Sequence, residues 1–371
     1  MKTCDVLIVG GGPAGSSCAW QLGKRGLDVI VMDKAAFPRD KVCAGWITPE
    51  VVAALQMDTQ AYAAERVFQP IAAFRTGLID GKELETRYPA TVSYGIRRRE
   101  FDDYLLQRSG ARLELGQALQ SMERRGSRWI VNETLSTPLI VGAGGHFCPV
   151  ARFLGAQFGA DESAVTAKEI EFEMTQQQID DCRVRSDTPE LYFSRDLKGY
   201  GWCFRKGRHL NIGLGREDNH GLTGQLNHFL DFLRQRGRLP RDTPVKFQGH
   251  AYLLYGHADR KLLDDGVLLV GDAAGLAYPQ SGEGIRPAVE SGLIAAASII
   301  EAAADYRRQT LMTYPARLIA RFGNASAPAT AFPGFLRQIL AKTLMDSRWF
   351  TRRIVLDRWF LHAHQAELQI G

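Results

Sequence analysis

The stretch from Asp5 to Lys34 constrains the fold more than any other part of this sequence. It begins with a short apolar run, Val6–Val9, which has the length of one buried parallel strand. The segment Gly10-Gly11-Gly12-Pro13-Ala14-Gly15 follows with the spacing G-x-G-x-x-G, and a helix is predicted over about 13–24. A second apolar run then ends in Asp33. Strand, glycine turn, helix, strand and acid in this order predict a βαβ unit that binds a dinucleotide.

Each part of this unit has a physical role in holding a dinucleotide. Gly10 permits the tight turn, Gly12 lets the backbone approach a pyrophosphate, and Gly15 lets the helix pack closely on the strand. The N-terminus of the helix would face the phosphate charge, and Asp33 would accept a hydrogen bond from a ribose. The alternative is a glycine-rich βα turn without a ligand, and the order of the elements favours the dinucleotide.

Length and composition indicate an ordinary globular protein of two or three domains. The 371 residues are 45% hydrophobic and 23% charged, and the net charge of +5 is too mild to suggest a nucleic-acid partner. The chain enters its first strand at once, so we expect no signal peptide, and no apolar run is long enough to span a bilayer. The six cysteines show no C-x-x-C spacing, so we expect neither a metal site nor a disulfide framework. A cytoplasmic protein fits these features best.

The order of predicted elements divides the chain into three parts. Short buried strands recur at Leu139–Val141 and Val267–Val270, whereas the block over 164–255 alternates like an antiparallel sheet. We therefore predict an α/β fold, α+β overall: a Rossmann-like nucleotide domain with an inserted antiparallel-sheet substrate domain and a C-terminal helical cap. The nucleotide domain would comprise 1–66, 95–163 and 256–306, the substrate domain 67–94 and 164–255, and the C-terminal helical region 307–371.

Two further strands end in glycine-rich turns where backbone would meet a ligand. These turns are Gly142-Ala143-Gly144-Gly145-His146 and Gly271-Asp272-Ala273-Ala274-Gly275. A third turn, Gly282-Glu283-Gly284, precedes a long helix from Ile285 whose N-terminus suits an anionic or carbonyl-rich group. His146 is a candidate catalytic residue, although a lone histidine in a loop is more often structural.

Two arginine-rich parts of the sequence, Arg97–Arg99 and the C-terminal region, each have two possible roles. Arg97-Arg98-Arg99 opens a predicted helix, where cations oppose the helix dipole, so it is either a solvated turn or a contact to the cofactor. Arg124–Ser127 is predicted as the turn of a hairpin between Leu113–Glu123 and Trp129–Asn132. The C-terminal region is also rich in arginine and aromatic residues. It would form a cap of short helices broken at Pro315 and Pro333, or an amphipathic surface that touches a membrane or a lipid-like substrate.

Several segments, in this order, resemble the flavoproteins of the para-hydroxybenzoate hydroxylase-like fold, and among them the geranylgeranyl reductase group. Phe37–Gly45 resembles the group's FPR-x-K-x-C-G-G loop, and Arg98–Asp102 its R-x-x-F-D segment. Gly199–Phe204 resembles its G-Y-x-W-x-F-P signature, and Gly271–Ile285 is nearly its GDAAG-x-x-x-P-x-x-GEGI. With the N-terminal glycines, the resemblance covers residues 5 to about 300.

The resemblance implies that the dinucleotide is non-covalently bound FAD. The N-terminal glycines and Asp33 would hold its ADP half, while Arg98 and Asp272 would contact the phosphate and ribityl region. Cys43 would lie near the flavin ring, and Tyr200 and Trp202 would line the substrate cavity. The expected cofactor-binding residues are Gly10, Gly12, Pro13, Ala14, Gly15, Asp33, Lys34, Arg39, Cys43, Ala44, Gly45, Arg98, Gly144, Gly271, Asp272, Gly282, Gly284 and Ile285, and the expected catalytic residues are Cys43, Tyr200 and Trp202.

Three positions depart from the pattern of the group. Gly144 stands where the second flavin segment, G-A-D-G, usually has an acid, which leaves direct use of NADPH open. Ala44 replaces the first glycine after Cys43. Arg205 replaces the proline of the aromatic signature and is expected to bring a guanidinium near the pocket, where it would favour a carboxylate or phosphate on the substrate.

The activity implied by the resemblance is reduction of a carbon–carbon double bond in an apolar, isoprenoid-like substrate by hydride transfer from reduced flavin. Cys43 or an ordered water would donate the proton. Because no second G-x-G-x-x-G unit is present, NAD(P)H or a separate electron-donor protein would dock transiently. The alternative in the same fold is a monooxygenase that hydroxylates or epoxidises through a flavin hydroperoxide; a flavin halogenase is less favoured because the W-x-W-x-I-P signature is missing. A non-catalytic flavin-binding scaffold and a peripheral membrane contact are the remaining alternatives.

Overall fold

The computed structural model describes residues 1–157, 164–218, 221–257, 260–324 and 343–369. Its strands are β1 Lys2–Thr3, β2 Val6–Val9, β3 Val29–Asp33, β4 Trp46–Ile47, β5 Phe68–Ile71, β6 Ala73–Leu78, β7 Glu83–Arg87, β8 Ser93–Ile96, β9 Arg112–Leu115, β10 Met122–Arg125, β11 Arg128–Val131, β12 Leu135–Thr137, β13 Leu139–Gly142, β14 Ala164–Glu173, β15 Glu190–Phe193, β16 Gly199–Lys206, β17 His209–Arg216, β18 Gln248–Leu253, β19 Leu263–Asp264 and β20 Val267–Leu269. Its helices are α1 Pro13–Gly23, α2 Pro49–Ala54, α3 Thr59–Glu65, α4 Arg98–Arg108, α5 Pro149–Phe153, α6 Gln176–Asp181, α7 Leu222–Gln235, α8 Ile285–Glu301, α9 Arg308–Leu311, α10 Thr313–Phe322 and α11 Arg348–Phe350, which continues as a π-helix over Thr351–Phe360.

A six-stranded sheet in the order β19-β20-β13-β2-β3-β9 contains the N-terminal βαβ unit. Strands β20, β13, β2, β3 and β9 run parallel, and only β19 pairs antiparallel, with β20. The central strands are buried on both faces, as their continuous apolar runs predict. Because parallel strands end at one edge of a sheet, the turns that follow β2, β3, β13 and β20 meet there, and the α/β prediction is confirmed.

Helices α1 and α8 pack against each other beside this sheet. A Cβ atom at Gly292 would lie 2.2 Å from the carbonyl oxygen of Ala14, so the two helix backbones touch where a side chain would not fit. The small residues of α8, such as Gly292, therefore have a packing role. They place the N-terminus of α8 next to the N-terminus of α1.

A seven-stranded sheet in the order β18-β14-β17-β16-β15-β6-β7 forms the second large layer. It is antiparallel except for the parallel pair β15 and β6. Helix α7 covers one face with Leu226, Phe229, Leu230 and Leu233, which recur at helical spacing and form its apolar side. The opposite face of this sheet is turned toward the site described below.

The hairpin prediction is wrong in one strand. Strand β10 pairs with β11 across the expected turn, but β9 is a separate strand that joins the parallel sheet beside β3. The sequence of β9, Arg-Leu-Glu-Leu, alternates like that of an ordinary strand, and only tertiary contacts decide which sheet it joins.

The described C-terminal region contains helices over Arg308–Leu311, Thr313–Phe322 and Arg348–Phe360, whereas 361–369 are not helical. Pro315 lies in the first turn of α10, where a missing N–H costs little, so it does not break that helix. Pro333 lies outside the described residues. Within the described ranges, no helix is long and apolar enough to cross a membrane.

Candidate active site

One cavity of about 720 Å³ joins the carboxyl edge of the parallel sheet to the seven-stranded sheet. Its first end, the nucleotide cleft, is formed by the turns after β2, β3, β13 and β20. Its other end, the aromatic chamber, is lined by Trp46, Leu191, Tyr200, Trp202, Phe204 and Phe360.

The glycine turn at the start of the cleft leaves no room for side chains. Gly10 has a φ of +118°, and a Cβ atom there would lie 2.3 Å from the carbonyl oxygen of Ala143. A Cβ atom at Gly15 would lie 1.9 Å from the carbonyl oxygen of Gly10. The turn is therefore open backbone at the N-terminus of α1, which is the arrangement that receives a pyrophosphate.

Asp33 fixes the end of β3 to this turn. Its Oδ2 accepts a hydrogen bond from the backbone N–H of Gly11, and its Oδ1 accepts one from Ala35, both at 2.8 Å. The carboxylate is buried but still borders the cavity, so its position is preset for a ribose hydroxyl.

Arg39 lies over the glycine turn and carries a buried nitrogen without a partner. Its Nη2 is 3.1 Å from Asp102 Oδ2, and its guanidinium stacks on Phe37 with the Cζ atom 4.7 Å from the ring centroid. A Cβ atom at Gly12 would be 3.4 Å from that Nη2, whereas Nη1 has no hydrogen-bond partner among the described residues. A buried cationic N–H beside a helix N-terminus fits a diphosphate, so the residues present fit the dinucleotide FAD.

The three arginines at the start of α4 take three different positions. Arg98 is buried, borders the cavity and pairs with both oxygens of Asp102 at 2.8 and 2.9 Å. Arg97 bonds to Glu100, and Arg99 is an exposed partner of Asp40. Arg99 thus takes the solvated position, whereas Arg98 borders the cavity, and its contact to the cofactor stays a prediction.

A second basic pair, Lys41 and His250, also borders the cavity. Lys41 Nζ lies 2.6 Å from His250 Nε2. Burial lowers the pKa of Lys41 to about 8. Burial, together with the charge of Lys41, lowers the pKa of His250, so its ring is neutral at pH 7 and accepts the lysine's hydrogen bond. Nothing in the sequence around His250 on edge strand β18 indicates this contact.

The turns that follow β20 complete the cleft. Gly271 has a φ of +59° and lies against Ala14, where a Cβ atom would be 3.0 Å from the alanine's own Cβ. Gly282 has a φ of +66°, and a Cβ atom there would be 2.3 Å from the hydroxyl of Tyr252. Asp272 and Ile285, the N-terminal residue of α8, both border the cavity. Glycine-rich backbone and two acidic residues, Asp272 and Glu283, therefore border this part of the cavity.

Cys43 stands where the cleft and the chamber meet. Burial raises the pKa of its thiol, and the charge of nearby Arg98 offsets this only in part, so the thiol keeps its proton at neutral pH. The backbone N–H of Gly45 donates to its Sγ at 3.4 Å.

Aromatic contacts hold the chamber walls in place. Trp46 stacks on Phe204 with ring centroids 5.5 Å apart and meets Phe360 edge-on at the same distance. Tyr200 packs against Phe360 at 5.3 Å and donates its hydroxyl to the carbonyl oxygen of Ser281 at 2.5 Å. The chamber is thus an apolar space with few polar atoms on its walls.

The structure brings nearly all of the sequence-predicted site residues to this cavity. Gly15 and Gly271 do not border it and instead allow the close backbone packing described above. Gly144 borders it, and a Cβ atom there would lie 3.2 Å from Cys148 Sγ. Lining residues that the sequence did not single out for the site include Ala35, Asp40, Lys41, Val42, Trp46, Gln117, Ala118, Leu119, Phe147, Pro149, Ala167, Leu191, Phe204, His250, Tyr252, Ala277, Ser281, Glu283, Ala288 and Phe360.

The expectation for Arg205 is wrong. Its side chain donates to the carbonyl oxygen of Gly207 at 3.1 Å and does not border the cavity. Because Tyr200, Trp202 and Phe204 point toward the chamber, the two-residue period of β16 sends Arg205 to the other face. It therefore places no positive charge in the aromatic chamber.

Comparisons with known proteins agree with this geometry. The FAD binding domain family matches residues 3–321. The chain is 30% identical over 364 residues to menaquinone reductase of Mycobacterium tuberculosis, covering 90% of this chain and 86% of that protein. It is 28% identical over 336 residues to digeranylgeranylglycerophospholipid reductase of Methanocaldococcus jannaschii, covering 84% of this chain and 81% of that protein.

Solved structures share the fold. A geranylgeranyl bacteriochlorophyll reductase-like protein from Thermoplasma acidophilum matches all of this chain and 94% of its own with a TM-score of 0.74 at 21% identity. PqsL of P. aeruginosa, solved in complex with 2-aminobenzoylacetate, matches 94% of this chain and 98% of its own with a TM-score of 0.67 at 18% identity. The chain therefore belongs to the FAD binding domain family, and it is an FAD-dependent oxidoreductase of the geranylgeranyl reductase type.

Proposed function

We propose that this enzyme reduces carbon–carbon double bonds of an apolar, isoprenoid-like substrate that enters the aromatic chamber. The observation that supports it most is the continuity of the cavity, because one space contains both the nucleotide cleft and an apolar chamber. The relatives named above are reductases of menaquinone and of a digeranylgeranyl phospholipid. Within this proposal, residues 67–94 and 164–255 form the substrate domain, and NAD(P)H or another reductant supplies electrons transiently.

The cleft residues would hold FAD by its charged half. Gly10, Gly12 and the N-terminus of α1 would receive the diphosphate with Arg39, and Asp33 would accept from the ribose. Asp272 and the turn at Gly282 would lie along the remainder of the cofactor. FAD bound there would supply the hydride.

The chamber would bind the substrate mainly by burying apolar surface. Each Å² of apolar surface removed from water contributes roughly 25 cal/mol, so an extended hydrocarbon chain gains affinity without polar contacts. The rigid aromatic walls around Trp46 and Phe360 would orient the double bond and exclude water. Tyr200, whose hydroxyl is already committed to Ser281, would contribute its ring face.

Cys43 would donate the proton. A reduction of this kind adds one hydride and one proton across the double bond, and the hydride alone would leave a carbanion. The thiol of Cys43 holds its proton at neutral pH because it is buried, and it borders the cavity at the cleft–chamber junction. After transfer of the proton from Sγ to carbon, the thiolate would be reprotonated from water.

The decisive experiment is anaerobic reoxidation of the reduced holoenzyme. We expect a geranylgeranyl lipid without a quinone ring to restore the oxidised flavin spectrum and to gain two hydrogen atoms by mass spectrometry, and Cys43→Ala to slow this by about 100-fold, the lower range for a lost general acid. Cys182→Ala, a buried cysteine outside the cavity, is the matched control and should keep the rate. Failure of every polyprenyl and enone substrate would refute the proposal, and substrate-stimulated oxygen consumption with NADPH would identify a monooxygenase instead.

A further inference from the structure

A buried polar network connects the seven-stranded sheet to the loop that carries Cys43. Its main members are Lys206 on β16, Asn211 on β17 and Glu169 on β14, with exposed fractions of 1%, 0% and 5%. Strand alternation puts all three on the face that also carries Trp202 and Phe204. Burial of such groups costs stability unless each finds a partner, so their partners indicate what the network holds.

Lys206 and Asn211 bind two successive carbonyl groups of the Cys43 loop. Asn211 Nδ2 donates to the carbonyl oxygen of Cys43 at 3.1 Å, and Lys206 Nζ donates to that of Ala44 at 2.9 Å. Lys206 also donates to Ile96 at 2.9 Å and pairs with Glu171 at 2.6 Å. The backbone of the loop is thus fixed from the sheet side by side chains far away in sequence.

Gly45 gives the lysine its access to the loop. Its φ is +69°, and a Cβ atom there would lie 2.6 Å from Lys206 Nζ and 2.3 Å from the carbonyl oxygen of Ile96. Any side chain at this position would displace the ammonium group. Lys206 therefore reaches the carbonyl groups of the loop only because position 45 has no side chain.

Asn211 also bonds to the wall of the chamber. Its Oδ1 accepts a hydrogen bond from Trp202 Nε1 at 2.7 Å, while its Nδ2 donates to Cys43 and to Glu169 Oε1 at 3.0 Å. A single amide thus joins the loop that carries the thiol to the indole that lines the chamber. Burial raises the pKa of Glu169 to about 8, so at neutral pH this neighbour is mostly uncharged.

We propose that Asn211 and Lys206 are positioning residues that fix the Cys43 thiol relative to Trp202 and the chamber. Neither side chain borders the cavity, so both act through the loop backbone and the indole. The inference rests on the proposed role of Cys43 in proton transfer. Its geometric part, the placement of the thiol, is measurable without turnover.

Two variants separate positioning from general stability. Asn211→Asp keeps an acceptor for Trp202 but loses the donor to Cys43, and the double variant Lys206→Met, Glu171→Gln removes the ammonium without leaving a carboxylate unpaired. Tyr192→Phe is the matched control. It removes a buried hydrogen bond to Glu190 on neighbouring strand β15, and Tyr192 packs in the α7-side core, away from the Cys43 loop.

The experiment uses the FAD-loaded protein and reads out the thiol directly. Mass spectrometry of the Cys43 peptide after timed iodoacetamide labelling gives its alkylation rate as a function of pH, and anaerobic reoxidation gives kcat and KM. We expect both site variants to change the alkylation rate several-fold and to lower kcat by about 10- to 100-fold with KM nearly unchanged. Tyr192→Phe should lose thermal stability and keep both readouts.

The possible results distinguish a failure of this inference from a failure of the proposed function. Wild-type alkylation profiles in both site variants, at full flavin content, would overturn the inference and leave the network a stability feature. An altered alkylation profile with unchanged turnover would support the positioning of the thiol and refute the role of Cys43 as proton donor, which belongs to the proposed function.

Discussion

Gly213→Ala tests whether the position of the Trp202 indole in the chamber wall depends on the missing side chain at residue 213. Gly213 lies on β17 under the indole of Trp202, and a Cβ atom there would be 2.2 Å from Cζ2 and 2.5 Å from Cε2 of the ring. Carbon atoms in contact stay roughly 3.5–4.0 Å apart, so the indole has to move by more than about 1 Å. The carbonyl oxygen of Lys168, at 2.8 Å from the same Cβ position, prevents the strand from yielding instead.

The expected loss of stability is about 2 kcal/mol. An extra methylene group in a filled core costs about 1–3 kcal/mol, and loss of the Trp202–Asn211 hydrogen bond adds about 0.5–1.5 kcal/mol. The gain from replacing glycine inside a strand, about 0.5–1 kcal/mol, offsets part of this.

Gly215→Ala is the matched control on the same strand and the same face. The nearest atoms to its Cβ position are Ala167 Cβ at 3.6 Å and Trp202 Cζ3 at 3.7 Å, which are ordinary contacts. We expect this variant to be neutral or slightly stabilised. Urea unfolding of the FAD-loaded proteins, with tryptophan fluorescence and anaerobic turnover, measures both. A Gly213→Ala protein as stable as the Gly215→Ala protein, with unchanged turnover, would refute the reasoning.

Three further predictions follow from the cleft and the buried network. Gly15→Ala places a methyl group 1.9 Å from the carbonyl oxygen of Gly10, so the purified variant should lack flavin absorbance even when it is folded by circular dichroism. Arg39→Gln removes the buried guanidinium over the glycine turn, so FAD titration of the apoprotein should show affinity weakened by about 10- to 100-fold; unchanged affinity would place the diphosphate elsewhere. Burial raises the pKa of Glu169 to about 8 from an ordinary value of 4.5. The folded state therefore favours the protonated carboxyl group, and the stability that this preference contributes is full below pH 4.5 and is lost as the pH rises through 8. Glu169→Gln should therefore gain stability relative to the wild type, on the order of a few kcal/mol, between pH 5 and pH 9, and unfolding curves that shift equally at both pH values would contradict this.

The nucleotide cleft was predictable because its signals are local. A strand that ends in a glycine turn specifies its own backbone path, and parallel strands bring such ends to one edge without further information. Gly10, Asp33 and the turn that carries Asp272 were identified in this way, whereas Arg98 was assigned to the cleft only through the family resemblance, and β9 was assigned to the wrong sheet.

The aromatic chamber was only partly predictable, for two different reasons. Trp46 and Phe360 are more than 300 residues apart, and only the tertiary fold brings them together. The direction of the Arg205 side chain, in contrast, could have been inferred from the two-residue period of β16, but the expectation for it was wrong. The same period would have placed Lys206 on the chamber side. Its carbonyl partners on the Cys43 loop were beyond any local pattern.

The C-terminal region was predicted to be either a helical cap or a lipid-facing surface, and the fold decides this for only one face of the segment over 348–360. The inner side of the segment over 348–360 packs Val355, Leu356 and Phe360 into the core, while Trp349 on the outer side is 66% exposed.

The position of Phe360 has a consequence for the order in which the enzyme is made. Among the residues that the structure describes, all others that border the cavity lie between Val9 and Ala288, so a ribosome delivers the nucleotide cleft and most of the chamber before this ring. The chamber therefore stays open on one side until the end of synthesis, after the residues of the cleft have been made. The stack of His362 on Tyr278 and the hydrogen bond from Tyr278 to Gln365 hold the segment that supplies this last wall.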